Sequence, residues 1–481
     1  MEQDDFETVI GLEVHVQLST ASKAFCSDAV SFGGVPNANT GVVSLGHPGT
    51  LPYLNRQHLQ YAVRLGLALQ CQVNRYHVFD RKNYFYADLP KGYQITQDKV
   101  PVCTGGTMPI RLEGGWKEIG IHHIHMEEDA GKSIHHADEL FSRIDLNRAG
   151  IPLMEIVTLP DLRSGAEVDA FMTGIRQLVR YLAISDGNME EGSLRCDINV
   201  SVRPKGSQEL FNRCEIKNVN SMKFGRQAIA FEIQRQQAIV RAGGVVAQQT
   251  LHFDADTGET SPLRSKEDAH DYRYFPEPDL PPVRLSQAML DAERAALVPL
   301  PWEAFHHLHR DLGLPVDDAV LLSESRDTYL AFLQLVDAAT EVKTLANFVV
   351  QKLIPHLHNT GNTLSGSLLP AAGIHDLLRL IREGILSVSV AYQQLFPLWL
   401  TDPTRLPSDW AAAQGLIQEK GSFSLEVLLQ EIIDAYPDKW QAYRGGKKGL
   451  VGFFMGELMK RTSGRADPRE AQAILAALEK K

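Results

Sequence analysis

An α+β fold followed by helices is what this chain of 481 residues predicts, and three observations carry that reading. Before about residue 280, apolar and polar side chains alternate with a two-residue period broken by Gly/Pro turns, with two clear helices among them. A proline-rich run, Phe275-Pro276-Glu277-Pro278-Asp279-Leu280-Pro281-Pro282, then closes that texture. Helical periodicity takes over to the end, interrupted near Leu400–Ser408 by Pro403 and Pro407. The domains drawn from this are 1–293, on an antiparallel or mixed sheet with helices; 294–405, helical; and 406–481, a small helical tail. A chain this long exceeds a single compact core.

Composition agrees with a folded, multidomain protein: 44% hydrophobic and 22% charged residues exclude disordered and fibrous classes. No stretch approaches the ~18 apolar residues of a membrane helix, and the start, Met1-Glu2-Gln3-Asp4-Asp5, is acidic where a signal peptide is basic. Five scattered cysteines without a CxxC pair fit reduced thiols, so a cytoplasmic protein is expected. The net charge of −11 argues against nucleic acid as a partner, but it is unevenly placed. Residues 438–481 hold ten Lys/Arg and five Asp/Glu, leaving a net of −16 for residues 1–437. A basic end on an acidic body fits a polyanion-binding module or a solvated helical face.

The first strand alternates strictly. Ile10, Leu12, Val14, Val16 and Leu18 share one face, while Val9, Gly11, Glu13, His15 and Gln17 share the other. The segment Phe79–Tyr86, continuing to Ile95, interleaves Arg81, Lys82 and Lys91 with aromatic rings, suiting either phosphate contact or packed tyrosines with extended lysines. The densest ionisable cluster is His122-His123-Ile124-His125-Met126-Glu127-Glu128-Asp129-Ala130-Gly131-Lys132. Three consecutive carboxylates repel unless cations sit among them, and oxygen-rich sets suit Mg²⁺; the histidines keep zinc as an alternative, without supporting thiolates or HExxH. Gly131-Lys132-Ser133 is not a phosphate loop, because Met126 stands where that motif needs glycine.

In Ile151–Val157, Glu155 is the only ionisable residue and wants a cation if buried. Ser164-Gly165-Ala166-Glu167 reads as a capping box opening an amphipathic helix through Leu182. The strand Leu194–Arg203 puts Arg195, Asp197, Asn199, Ser201 and Arg203 on its polar face, and the next puts Arg213, Glu215 and Lys217 together. A second helix runs from near Ser221 to Gly243-Gly244. A charged loop, Arg264–Glu267 with Asp271–Asp279, precedes the boundary.

Taken in order, Ile10–Leu18, Phe79–Tyr86, His125–Lys132, Asp145–Arg148, Met189–Asp197 and Asp271–Leu280 resemble the B subunits of tRNA-dependent amidotransferases, the GatB/GatE family. The resemblance runs from about Phe6 to the end, where Gly452, Gly456, Met459-Lys460, Gly464 and Pro468 resemble that family's YqeY-like tail. It implies a cradle domain with kinase and transamidase activity, a helical domain and a tRNA-binding tail. The implied reaction is ATP- and Mg²⁺-dependent phosphorylation of the side-chain carboxylate of mischarged Glu-tRNA(Gln) or Asp-tRNA(Asn), then amidation. The implied partners complete a heterotrimer: an amidase (glutaminase), which delivers ammonia through a tunnel, and a small third protein that holds the pair together.

By the same resemblance, Glu13, His15, Glu128 and Glu155 match metal positions, with Asp197 and Glu215 holding a second cation or its waters. Glu128, His15, Asp197 and Lys217 are the implied catalytic residues. Lys82, Lys91, Ser193, Arg195 and Asn199 are implied in ATP or substrate binding, the two lysines also matching positions near the ammonia path. Many members carry a zinc knuckle after the first strand. Here its positions read Cys26, Asp28, Gly41 and Ser44, which does not support a structural zinc.

The tail is testable from sequence. If Lys447, Lys448, Lys460, Arg461 and Arg465 contact tRNA phosphates, neutralising them weakens binding and flattens the plot of log K against log salt by about 0.7–0.9 for each phosphate no longer held. An unchanged slope in filter binding would return these residues to a solvated face.

Overall fold

The computed structural model describes residues 5–135, 140–219, 221–265, 272–337, 341–367, 369–417, 425–462, 466 and 468–480. Lys266, Glu267, Asp271, Gly464 and Arg465, singled out above, lie outside the described residues. The chain forms two compact units, Met1–Ala304 and Phe305–Lys481.

The first unit is organised by a ten-stranded sheet: β1 (Phe6–Gln17), β2 (Gln72–Val73), β3 (Cys103–Thr104), β4 (Thr107–Leu112), β5 (Gly115–Glu128), β6 (Pro152–Thr158), β7 (Leu194–Pro204), β8 (Cys214–Val219), β9 (Gln249–Asp254) and β10 (Glu259–Ser265). Its order is β10-β9-β8-β7-β1-β6-β5-β3-β2, with β4 paired to β5. Among the described residues, only β8 and β9 run parallel, joined by a helical crossover as parallel neighbours require. The sheet is therefore mixed, and the fold is α+β as expected.

Alternation divides the central strands into two faces. Ile10, Leu12, Val14 and Val16 of β1 are buried with Leu194, Cys196, Ile198 and Val200 of β7, Met154 and Ile156 of β6, and Ile124 and Met126 of β5. Helices α1 (Arg56–Ala68), α2 (Gly165–Tyr181) and α3 (Met222–Arg241) contribute to the same core. Val168, Phe171, Met172, Ile175, Leu178 and Val179 form the buried stripe of α2, the spacing the sequence predicts. Ser164 caps α2 by accepting from Glu167 N–H, while Glu167 reaches back to Arg163 N–H, one residue before the cap. Helix α3 ends at Gly243, whose φ of 78° needs glycine and lets Gly244 N–H bond the carbonyl of Ile239. A small ladder, Asp80–Asn83 with Tyr93–Thr96 and Phe275–Pro276, brings the aromatic and lysine-rich segment together with the proline-rich run.

The second unit is helical. Its last four α-helices, Leu425–Ala435, Pro437–Arg444, Val451–Arg461 and Pro468–Lys480, share a core that includes Leu429, Ile432, Phe454, Leu458 and Leu475.

Among the described residues of the first unit, two histidines are buried without charge partners. His58 of α1 has Nε2 3.2 Å from the carbonyl of Leu153, and His77 has Nδ1 2.6 Å from the Gln97 amide. Burial pushes both down to about 4. An unfolded chain takes up these protons near pH 6.5 and the native one only near 4, so their stabilisation is complete above 6.5 and lost between 6.5 and 4. Each accounts for roughly 3 kcal/mol. Urea unfolding of His58→Gln is expected to show a shallower loss of stability across that window than the parent; an unchanged slope would remove His58 as a cause.

Candidate active site

The opposite face of the central sheet is charged, and antiparallel register decides who meets whom. His15 stands directly across from Arg195 on one side and Glu155 on the other, and Glu155 stands across from His125. Four strands thus present one continuous row: Arg195, His15, Glu155, His125. Glu155 Oε2 lies 3.2 Å from His15 Nε2 and 3.3 Å from His125 Nε2. Glu127, two residues from His125 on the same face, adds contacts of 3.7 Å to His15 and 3.5 Å to His125.

Burial alone would strip these imidazoles of charge. The carboxylates of Glu155 and Glu127 reverse that, pushing His125 up to about 10 and raising His15. Burial likewise opposes the charge of Glu155, but His125 and His15 outweigh it and hold the carboxyl well below its usual range. The row is a largely buried set in which cationic groups flank the Glu155 carboxylate on both sides.

One step along β1, Glu13 joins Asp197 and Glu215, three carboxylates whose oxygens lie within 4.8 Å of one another. Lys217 Nζ sits 2.9 Å from Asp197 and 2.8 Å from Glu215. Although burial works against its charge, these two carboxylates hold it well above the ordinary lysine value. Asn199 donates to Glu13 Oε1 at 3.0 Å, yet burial and the charges of Glu155 and Glu215 leave Glu13 raised. Here there is more negative charge than one ammonium relieves.

At the other end of the row, Asp129 Oδ2 accepts from Arg195 at 2.8 Å and Gln17 at 2.5 Å, with Arg148 3.8 Å away. Burial disfavours its charge, but Arg195 and Arg148 bring its carboxyl below the usual value. Arg195 keeps a buried Nε–H with no acceptor among the described residues. Lys82 Nζ packs 4.8 Å from the Tyr272 ring centre and 5.8 Å from that of Tyr84. Burial acts against its charge, and Tyr274, Glu127, Tyr272 and Glu155 outweigh it, so the ammonium is stabilised beside the row.

The candidate ligands therefore fall into two sets, His15–Glu127–Glu155 and Glu13–Asp197–Glu215. Glu128, expected among them, belongs to neither. It follows Glu127 in β5 and so points to the other side, where its Oε1 contacts the Lys91 ammonium and accepts from Ile95 N–H at 3.0 Å. Glu127, Asp129 and His125 were in the sequence cluster but had no assigned place. Parity could have found two of them, since core-facing Ile124 and Met126 put His125 and Glu127 on the polar face. His123, given no role from sequence, stacks on His125 with ring centres 5.3 Å apart. Ser193 precedes β7 and uses its carbonyl to accept from Gln17 N–H.

Three carboxylates at Glu13–Asp197–Glu215 and two with one imidazole at His15–Glu127–Glu155 fit a hard ion such as Mg²⁺. The positions of the knuckle do not fit zinc. Cys26, Asp28, Gly41 and Ser44 converge, but Asp28 accepts from Gly41 N–H at 2.7 Å and Ser44 at 2.6 Å. The fully buried Lys23 ammonium lies 3.2 Å from Ser44 Oγ, so an internal cation stands among one thiol and one carboxylate.

In the tail, Lys448 contacts Glu479, Lys460 lies 3.1 Å from Glu457, and Arg461 lies 3.2 Å from Glu431. Lys447 is exposed. Exposed pairs of this kind contribute about 0–1 kcal/mol, little enough to yield to a phosphate.

A family described as the GatB/GatE catalytic domain matches residues 8–291, and one described as the GatB domain matches residues 330–478. The chain is 42% identical to a protein of Persephonella marina, over 99% of this chain and 100% of the relative. It is 46% identical to one of Anaeromyxobacter dehalogenans, over 98% of both, and 45% identical to one of Chlorobium chlorochromatii, again over 98% of both. All three are named as the B subunit of an aspartyl/glutamyl-tRNA(Asn/Gln) amidotransferase. Among the described residues, no helix is long and apolar enough to cross a membrane.

The division between adjacent carboxylates is measurable. Glu127→Gln is expected to weaken Mn²⁺ binding, read by calorimetry, by about tenfold or more, whereas Glu128→Gln leaves it close to the parent. The reverse order would return Glu128 to the ligand set.

Proposed function

The chain belongs to the GatB/GatE family, and on that premise we propose that it works as the B subunit of a tRNA-dependent amidotransferase, its charged sheet face being the reaction centre. The activity is that of a carbon–nitrogen ligase acting in translation, on aspartyl- or glutamyl-tRNA. One observation carries the placement of the centre: two oxygen-rich donor sets lie side by side on one face, with a buried, unsatisfied Arg195 Nε–H beside them.

A carboxylate does not accept ammonia at its carbon until one of its oxygens becomes a leaving group. In the proposed sequence, a side-chain oxygen of the esterified Asp or Glu attacks the terminal phosphorus of ATP, forming an acyl phosphate and releasing ADP. Ammonia then adds to the acyl carbon, phosphate leaves with the C–O electron pair, and one proton is lost, giving Asn- or Gln-tRNA. Mg²⁺ held by His15, Glu127 and Glu155, or by Glu13, Asp197 and Glu215, would neutralise charge on the phosphates. The chain's own part is positioning and electrostatics. Arg195 is braced by Asp129 through one N–H and has a buried Nε–H without an acceptor among the described residues, and Lys217 and Lys82 bring ammonium groups to the same face.

Glu128 and Lys91 form a carboxylate–ammonium pair whose hydrogen-bonding groups suit the path of polar ammonia toward the centre. Ser193 and Asn199 shape the β7 side of the centre. The ammonia comes from an amidase partner, joined to this chain by a small third protein, in the cytoplasm where tRNA is charged. The tail, with Lys447, Lys448, Lys460 and Arg461 at its surface, holds the tRNA.

With the assembled heterotrimer and mischarged tRNA, Glu155→Ala is expected to lower ATP-dependent amidation at least about a hundredfold. Glutamine hydrolysis by the amidase partner should survive. Amidation at the parent rate would displace the centre from this sheet face.

A further inference from the structure

Strand β5 breaks its own alternation at two histidines. Ile119 and Ile121 belong to the core, and so do Ile124 and Met126, so the inward parity changes between them. The ladder with β6 takes the same step: Val157 stands across from His123 and Thr158 across from Ile121, which makes His122 the inserted residue. This is a β-bulge, and a bulge re-aims the side chains beside it. Successive residues of a regular strand point to opposite faces. Here His122 and His123 meet instead, with Nδ1 atoms 2.7 Å apart and ring centres 5.0 Å apart.

The contact continues inward. His123 Nε2 lies 3.2 Å from His125 Nδ1, and the two rings are stacked, 17° from parallel. His125 Nε2 is the atom that faces Glu155 at 3.3 Å and Glu127 at 3.5 Å. Three imidazoles therefore run in a line from exposed His122 through half-buried His123 to buried His125, and the line ends on two carboxylates. An imidazole has two distinct edges, and what binds one fixes where the other points. A half-turn of the His125 ring about its Cβ–Cγ bond would carry Nε2 away from Glu155 and leave Nδ1 without its partner. The hydrogen bond to His123 and the stacking oppose that turn. Burial, with His125 and His122, pushes His123 down to about 4, so its ring is neutral and offers one acceptor and one donor. His125 Nδ1–H then donates to His123 Nε2, and His123 Nδ1–H donates to His122 Nδ1.

We propose that His123 is a positioning residue for the reaction centre: it grips the Nδ1 edge of His125 and so keeps Nε2 on Glu155 and Glu127, with His122 steadying His123 from the surface. This rests on the centre proposed above, in which Glu127 and Glu155 with His15 hold a divalent cation, and it adds what keeps those carboxylates in place. Groups that stand behind a metal's ligands set ligand orientation, and their loss commonly changes affinity by roughly 10–100-fold.

Mn²⁺ affinity of the assembled complex, read by calorimetry, tests the assignment independently of catalysis. His123→Phe keeps a stacking ring without its nitrogens and is expected to weaken Mn²⁺ binding about tenfold or more. His123→Gln sets an amide where Nε2 stood and should stay within about threefold of the parent. His123→Asn reaches only the Nδ1 position and should resemble the Phe variant. Combined with Glu127→Gln, His123→Phe should cost less than it does alone, because both act on one donor set. His122→Ala, at an exposed position where folding is not at stake, is expected to weaken binding about twofold to tenfold, the reach of one hydrogen bond. Parent-like affinity in both His123→Phe and His122→Ala, or equal loss in His123→Phe and His123→Gln, overturns the positioning role and leaves the centre standing. A parent complex that binds no Mn²⁺ overturns the donor set itself, and the positioning role with it.

Discussion

Glu155 is the one ionisable side chain of an otherwise apolar central strand, and the polar face of the sheet is arranged around its charge. A carboxylate taken from water into a sheet interior is expensive unless partnered. Register supplies the partners from both neighbours, His15 from β1 and His125 from β5, and these in turn draw in Glu127. Removing one member of such a set leaves the others buried and uncompensated, which is why the row behaves as a unit. The strand order β7-β1-β6-β5 is the geometric condition for all of it.

Ammonium groups recur as internal cations in this fold. Lys217 lies between Asp197 and Glu215, Lys91 against Glu128, and Lys23 beside Ser44 and Asp28. The first two tie a strand or turn to a carboxylate on another strand, Asp197 and Glu128. Lys82 differs, for it rests on tyrosine rings, and among the described residues no carboxylate stands within 4.0 Å of it. A cation stabilised by rings and by distant negative charge keeps its hydrogen-bonding capacity for an incoming anion.

Much of the site was legible because a strand has a period of two. That period separated Glu13 and His15 from the core residues of β1, and Arg195, Asp197 and Asn199 from those of β7. It also marked Glu155 as a charge in need of a partner. The same rule, carried through β5 from Ile124 and Met126, distinguishes Glu127 from Glu128; the resemblance alone had pointed to Glu128. The pairing of Asp129 with Arg195 and Gln17 was not legible, since these residues stand 66 and 112 positions apart.

By itself, the sequence determined the α+β class, the two faces of each central strand, the N-terminal cap of α2 and the glycine end of α3, and the family through long motifs in a fixed order. These depend on local geometry and on patterns along the chain. Tertiary structure alone decided which charges become neighbours: the division of the candidate ligands into two sets and the placing of Glu128 with Lys91. The reason is that strand order and register are set by packing of the apolar face, and the charged face takes whatever alignment that packing imposes.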